Sequence, residues 1–166
     1  MYTYEYKTLH ELMERAAAQQ LSLSEICIRH EMETSEQTEE AVRALMASRL
    51  DVFHESIQAG LEDKGKSVSG LVGDDAEKLL QSQAKLLGPL ARKAAVYALA
   101  VSEANAKMFK IVACPTAGSC GIVPAVMIAA AEELDIDKDT CVNALFTAAG
   151  IGAVVCLLYT SPSPRD

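Results

Sequence analysis

Val42, Met46, Leu50, Phe53, Ile57 and Leu61 recur every three or four residues, and no other feature constrains the fold of this chain so tightly. At 3.6 residues per turn this spacing puts all six on one face of a long amphipathic helix; a strand, whose side chains alternate, cannot gather them. Helical periods dominate on either side as well. Thr8 can cap a first helix through about Gln20. Ser22 with Glu25 three residues on is a capping-box pattern that opens a helix carrying Ile26, Ile28 and Met32, and Thr34 with Gln37 repeats the signal ahead of the long stripe. Gly60 and the stretch EDKGKS are expected to end the striped helix.

Residues 62–75, EDKGKSVSGLVGDD, read as a glycine-rich, charged connector. Asp74 or Asp75 can cap a helix running to about Leu87. Gly88 stops it, and Pro89 suits the first turn of a longer helix to about Lys110. Around Ala94 to Val101 that helix is apolar on every side, which predicts a central position. Ser102, Glu103 and Asn105 then break the apolar run; buried polar side chains need partners, so these three either cap local structure or face a site. KIVAC (110–114) reads as a short extended piece, Ile122 to Leu134 as a helix with Pro124 in its first turn, and Asp137 or Asp139 as the cap of a last, apolar helix. Strand signals are almost absent. The expected fold is mainly α, a helical domain with a glycine-rich loop at a helix N-terminus.

Charge narrows the partners. Residues 1–65 hold six basic against thirteen acidic side chains, or −7 of the net −8. Neither half offers the basic stripe that a phosphate backbone or anionic lipid requires, so neither nucleic acid nor a membrane is expected as a partner. The opening MYTYEYKTLHEL lacks a cationic start followed by an apolar run, which predicts a cytoplasmic protein with reduced thiols. Ala144 to Tyr159 is 16 residues without a charge, short of the roughly 20 that span a bilayer, and is expected to be a buried core helix. The predicted organisation is an acidic helical subdomain over 1–61, a linker over 62–75, an apolar helical part over 76–155 and a tail over 156–166.

Residues 113–125, ACPTAGSCGIVPA, carry the most distinctive chemistry. Thr116, Ala117, Gly118, Ser119, Cys120 and Gly121 lead into a helix, offering backbone N–H groups and two hydroxyls where the helix macrodipole adds partial positive charge. Such a place suits a small anion. With no lysine in the loop and no GxxxxGK[ST] spacing, a carboxylate fits better than a polyphosphate. The alternative is a tight turn whose small residues let helices approach one another.

Cys114 and Cys120 could both reach one metal, but tight structural zinc sites use two to four intervening residues and a second pair elsewhere. Cys27 and Cys141 are expected to be buried small hydrophobes. His10, His30 and His54 sit among charged neighbours and read as surface residues.

The stretch SEANAKMFKIVACPTAGSCGIVPAVMIAAAEEL, with SGLVGDDAEKL upstream and SEICIRHEME near the start, resembles the α subunit of the iron–sulfur-dependent L-serine dehydratases over about Leu9 to Val155. The resemblance implies a carbon–nitrogen lyase of amino-acid catabolism that deaminates L-serine to pyruvate and ammonia through a [4Fe–4S] cluster, without pyridoxal phosphate. It implies that Pro115, Thr116, Ala117, Gly118 and Ser119 help form the substrate pocket, with Asn105 a further candidate. It assigns neither Cys120 nor any other residue present to the cluster, and no catalytic base.

The family's polypeptide continues through glycine-rich segments that supply the cluster cysteines, whereas here GIGAVV is followed by CLLYTSPSPRD, which includes Cys156 and does not resemble them. The expectation is therefore a fragment, inactive as given, whose cluster ligands lie beyond it. The start directly in α-type helices resembles the two-chain form of the enzyme, in which a separate β subunit is the partner. Two rival readings stand beside it: a helical module that binds a small carboxylate or assembles without chemistry, and a short membrane-anchored protein ending in the Ala144 helix.

Overall fold

The computed structural model describes residues 2–82 and 85–158, and among these the architecture is all helical. Seven α-helices follow in order: α1 Leu9–Gln19, α2 Leu23–Ser35, α3 Glu39–Glu62, α4 Asp75–Gln81, α5 Pro89–Ala106, α6 Ile122–Leu134 and α7 Lys138–Leu158, with a 3₁₀ turn at Ala117–Ser119 ahead of α6. The tail from Tyr159 onward and the Cys156 side chain lie outside the described residues. The helices form two compact units; one gathers the residues up to Ser48 with those from Lys138 onward, and the other is Arg49–Asp137. The division falls inside α3, not in the 62–75 segment.

Local signals explain where these helices begin and stop. Thr8 caps α1 through its hydroxyl on Glu11 N–H (3.1 Å), and Ser22 and Glu25 form the reciprocal capping box of α2. Thr34, by contrast, does not start α3. Glu36 takes a left-handed conformation (φ 55°) and ends α2 after Ser35, leaving Thr34 inside that helix with its hydroxyl donating to His30 O at 2.9 Å. The cap of α3 is Thr38, whose hydroxyl accepts from Ala41 N–H at 3.3 Å. Gly60 does not stop α3 either. An added Cβ there would collide with the Ala100 carbonyl, so this glycine lets α3 lie directly on the backbone of α5, and the helix runs on to Glu62.

In the first unit, α2 packs on α1 and α7 around Leu12, Ile26, Ile28, Val142, Leu145 and Phe146. Gly150 is a second contact glycine, since a Cβ there would lie 2.7 Å from the Tyr6 hydroxyl and closer still to the Cys27 sulfur. Tyr6 Oη and Cys27 Sγ are 3.5 Å apart, and burial, ahead of that contact, pushes the tyrosine's pKa upward. Arg43 Nη1 donates to Asn143 Oδ1 at 2.9 Å, tying α3 to α7. Cys27 and Cys141 are buried, as expected. His10 and His54 are exposed, but His30 is half-buried, its ring 5.1 Å from that of Tyr6.

In the second unit α5 is the central element, in contact with α4 and α6 and, at Ala100, with α3. Its alanine-rich middle, with Val96, Ala100 and Val101 fully buried, permits close approach from several directions. At one edge Lys93 bridges Glu132 and Glu133 of α6, and the Tyr97 hydroxyl donates to Glu132 at 2.7 Å; burial and that bond push the Tyr97 pKa up to about 12. One window, Ala117–Leu134, is apolar enough over 18 residues to cross a membrane, and a third of it is buried. Its continuous α-helix, α6, has only 13 residues, well short of the roughly 20 needed to span.

Candidate functional site

The last turn of α5 organises the region. Ser102, Glu103 and Asn105 interrupt the apolar run there and take separate roles. Glu103 is 3% exposed, and a carboxylate so buried needs hydrogen-bond donors. It finds them at the start of α4, where Asp75 N–H (2.7 Å) and Ala76 N–H (3.0 Å) both point at Glu103 Oε1. Asp74, left-handed at φ 67°, provides no side-chain cap, so neither Asp74 nor Asp75 caps α4 as the sequence suggested; the carboxylate from α5 does so across the fold. Anion and helix N-terminus are electrostatically matched. The α4 helix ends at Gln81, shorter than expected, and α5 ends at Ala106, because Met108 (φ 65°) turns the chain away.

Residues 110–113 carry no regular secondary structure, a bend begins at Cys114, and the Cys114–Pro115 peptide is cis. Thr116 then opens the 3₁₀ turn. Its N–H donates to Ser119 Oγ at 3.4 Å, and the two hydroxyls lie 3.1 Å apart. Ser119 Oγ donates to the Cys114 carbonyl at 2.9 Å and lies 3.3 Å from the Thr116 carbonyl. Ser119 thus shapes the loop from inside. The Ala117 and Gly118 N–H groups start a turn, where no preceding carbonyl is placed to accept them, and both residues are exposed.

This differs from the expected geometry. The segment 116–119 enters a three-residue 3₁₀ turn, and Cys120 and Gly121 separate it from α6, so the N–H groups at the N-terminus of α6 belong to later residues. The macrodipole of α6 therefore supports the loop less directly than a loop–helix junction would. Each of the two readings of the loop holds at one of its glycines. At Gly121 an added Cβ would sit 2.8 Å from Ala98 O and 3.2 Å from Ser102 Oγ, so this glycine lets α6 approach α5. At Gly118 an added Cβ would meet only Thr116 Oγ1, at 3.8 Å, and no left-handed φ demands glycine. The fold needs the first glycine and leaves the second open.

Of the six residues expected at the site, Asn105 lies against the segment that runs from Pro115 to Ser119. The Asn105 side-chain N–H donates to Ala117 O at 3.4 Å, which joins α5 to Thr116, Ala117, Gly118 and Ser119. Sequence reasoning missed Arg49 of α3, whose positive charge reaches Cys114 and lowers its pKa against the stronger upward push of burial. No local pattern could have signalled it, since only the packing of α3 brings it near. Cys114 is half-buried and Cys120 is 2% exposed; burial raises both pKa values, so both are held as thiols. Among the described residues no three His, Cys, Asp or Glu side chains group so as to hold a metal ion.

The chain is mainly helical, and comparison with known sequences gives its class, a serine dehydratase chain. The family model for the serine dehydratase alpha chain matches residues 18–161, and the chain belongs to that family. The match runs past residue 155 into the segment that sequence reading set apart as a tail. The chain is 39% identical over 153 residues to the probable L-serine dehydratase alpha chain of Bacillus subtilis, covering 90% of this chain and 51% of that protein. It is 32% identical over 151 residues to the L-serine dehydratase alpha chain of Peptoniphilus asaccharolyticus, covering 89% and 52% respectively. It also matches L-serine dehydratase TdcG of Escherichia coli at 28% identity over 131 residues, 75% of this chain and 28% of that one. The chain spans about half the length of the two alpha chains. No solved structure matches it.

Proposed function

We propose that this chain carries the substrate-binding part of an L-serine dehydratase α subunit, and that the turn at 116–119 receives the carboxylate of L-serine. The observation that carries this reading is Gly118, a glycine that neither packing nor backbone conformation requires, in a turn whose exposed first residues, Ala117 and Gly118, present their N–H groups ahead of the turn's own carbonyls. A bound carboxylate needs close backbone approach at such a point. Asn105, Ser119 and Thr116 hold the turn in shape through their side chains. The overall reaction is loss of the α-proton and the β-hydroxyl as water, giving an aminoacrylate that hydrolyses to pyruvate and ammonia.

The [4Fe–4S] cluster implied by the family resemblance does not fit the residues described here. Among the described residues no three His, Cys, Asp or Glu side chains group so as to hold a metal ion, and Cys27, Cys120 and Cys141 are buried. No catalytic step is therefore routed through them; the cluster would be held by other residues, and turnover would require them. The relatives' names, alpha chain, support a separate β subunit as the partner.

Titration of the ¹⁵N-labelled chain with L-serine tests the reading. Saturable shifts are expected at Ala117, Gly118 and Thr116, reproduced by L-glycerate, which keeps the carboxylate and the configuration, and not by ethanolamine, which lacks the carboxylate. Undisturbed resonances in this turn at high L-serine would remove it from the substrate site.

A further inference from the structure

We infer that Glu103 is a positioning residue for the substrate turn: by holding the start of α4, its carboxylate fixes the last turn of α5, which in turn holds the loop at 116–121. The inference rests on the reading of that loop as the seat of the L-serine carboxylate, and extends the site to a residue that does not touch substrate.

Two faces of one helical turn carry the argument. Positions 103 and 107 are four apart, hence on one face, and both grip the segment between α3 and α4. Glu103 Oε1 accepts from Asp75 and Ala76 N–H, while the Lys107 ammonium, its side chain 9% exposed, donates to the Asp63 carbonyl and lies 3.6 Å from the Asp63 carboxylate. The segment is thus anchored on α5 at both ends. Between the anchors it holds its own shape. Ser67 N–H donates to Val72 O at 2.8 Å, Gly70 and Gly73 take positive φ (72° and 144°), and a Cβ on Gly73 would lie 2.8 Å from Gly65 O.

Positions 102 and 105 are three apart and face the other loop. Asn105 reaches Ala117 O, and Ser102 Oγ stands where Gly121 crosses α5. The SGLVGDDA and PTAGSCG segments, far apart in sequence, are therefore held by opposite faces of the same turn. Glu103 is the buried carboxylate of that turn, so its loss would leave two N–H groups of α4 unsatisfied and release the helix end that bears Asn105.

The test compares Glu103→Ala and Glu103→Gln in this 166-residue chain. Three quantities are read: amide exchange at Asp75 and Ala76, maleimide labelling of Cys120 located by peptide mass spectrometry, and the L-serine dissociation constant. Circular dichroism monitors the fold. Glu103→Ala is expected to speed exchange at both amides roughly ten- to a hundredfold, the consequence of removing a charged acceptor. Cys120 labelling should accelerate and L-serine binding weaken. Glu103→Gln keeps an acceptor oxygen and should recover most of all three. If Glu103→Ala loses its helical signal, Glu103→Gln is read alone: small rises in amide exchange and in Cys120 labelling together with a small loss of L-serine affinity support the inference, and a rise in exchange at 75–76 with labelling and affinity unchanged overturns it.

Faster exchange at 75–76 with unchanged Cys120 labelling would reduce Glu103 to a local cap and overturn the inference. So would loosening of both segments with unchanged serine affinity, while the substrate site stood. If L-serine fails to bind the wild-type chain, the site reading falls, and with it the positioning role; exchange and labelling would then report the coupling of the two loops alone.

Discussion

Substituting Gly118 and Gly121 by alanine separates the site from the fold. At Gly121 the new methyl would lie 2.8 Å from the Ala98 carbonyl oxygen and 3.2 Å from Ser102 Oγ. The first of these is backbone inside α5 and cannot swing aside, so α5 and α6 must part by a few tenths of an ångström. Overpacking of this kind costs about 1–3 kcal/mol. At Gly118 the methyl would meet only Thr116 Oγ1, at 3.8 Å, with no left-handed φ to violate. Alanine there reduces the freedom of the unfolded chain, which stabilises by about 0.4–1 kcal/mol. The same methyl stands over the turn that is to receive a carboxylate, so binding should weaken by about the value of one hydrogen bond to a charged group, roughly 1.5–3 kcal/mol. Urea unfolding followed by circular dichroism, beside L-serine titration, gives both quantities. Gly118→Ala should be as stable as wild type or more so, yet bind poorly; Gly121→Ala should be destabilised. Equal destabilisation of the two would show that the fold needs both glycines, and undiminished binding by Gly118→Ala would refute the placement of the ligand.

Three further outcomes are expected. Ser119→Ala removes the 2.9 Å bond to Cys114 O and the partner of Thr116, so it should both loosen the loop, read as faster labelling of Cys114, and weaken L-serine binding; unchanged labelling would deny Ser119 its shaping role. Ser22→Ala breaks the capping box of α2 and should lower stability by about 1 kcal/mol in urea unfolding, whereas a loss below a few tenths would show the box to be ineffective. Glu33 accepts from Tyr4 N–H (2.9 Å) and Thr3 N–H (3.2 Å), with the Tyr4 bond foremost in holding its pKa below the usual carboxylate value. A folded pKa below the unfolded one means that the unfolded chain binds more protons in acid. The contribution is therefore complete above the ordinary carboxylate range and disappears as pH falls through the depressed folded value. Glu33→Gln should accordingly flatten the acid limb of stability against pH; an unaltered limb would count against it.

What the sequence disclosed was local. The capping box at Ser22 and Glu25, the Thr8 cap, Pro89 at the start of α5 and the α3 stripe are all written within one or two turns of chain, and each is found in the structure. The errors share a cause. Glycine is a poor helix former, which makes Gly60 look like a stop, yet its missing side chain admits the backbone of α5, a partner forty positions away. Residue type alone makes Asp74 or Asp75 a candidate cap, yet a carboxylate from another helix takes the role. Thr34 lost its role to Thr38 because Glu36 adopted a conformation that the pattern did not signal. The candidate site was legible as a composition, small and hydroxyl-rich, but the direction of its hydrogen bonds was not. Those directions depend on the turn at 116–119 and on Asn105, reached through the packing of α5.

Those hydrogen-bond directions change what the loop can offer a ligand. Ser119 has one hydroxyl proton, and the Cys114 carbonyl at 2.9 Å is its nearest acceptor. With that proton committed, the 3.1 Å contact between the two hydroxyls requires Thr116 to donate and Ser119 to accept. Neither hydroxyl then faces an anion as a donor unless the loop rearranges, while the Ala117 and Gly118 N–H groups need no rearrangement. The hydroxyls set the shape, and the backbone provides the contact. On the proposed reading, a glycine-containing loop without lysine can suit a carboxylate because its backbone donors are fixed in advance by neighbouring side chains. It also separates two variants that composition alone would treat alike. Ser119→Ala should damage loop order and binding together, whereas Gly118→Ala should damage binding alone.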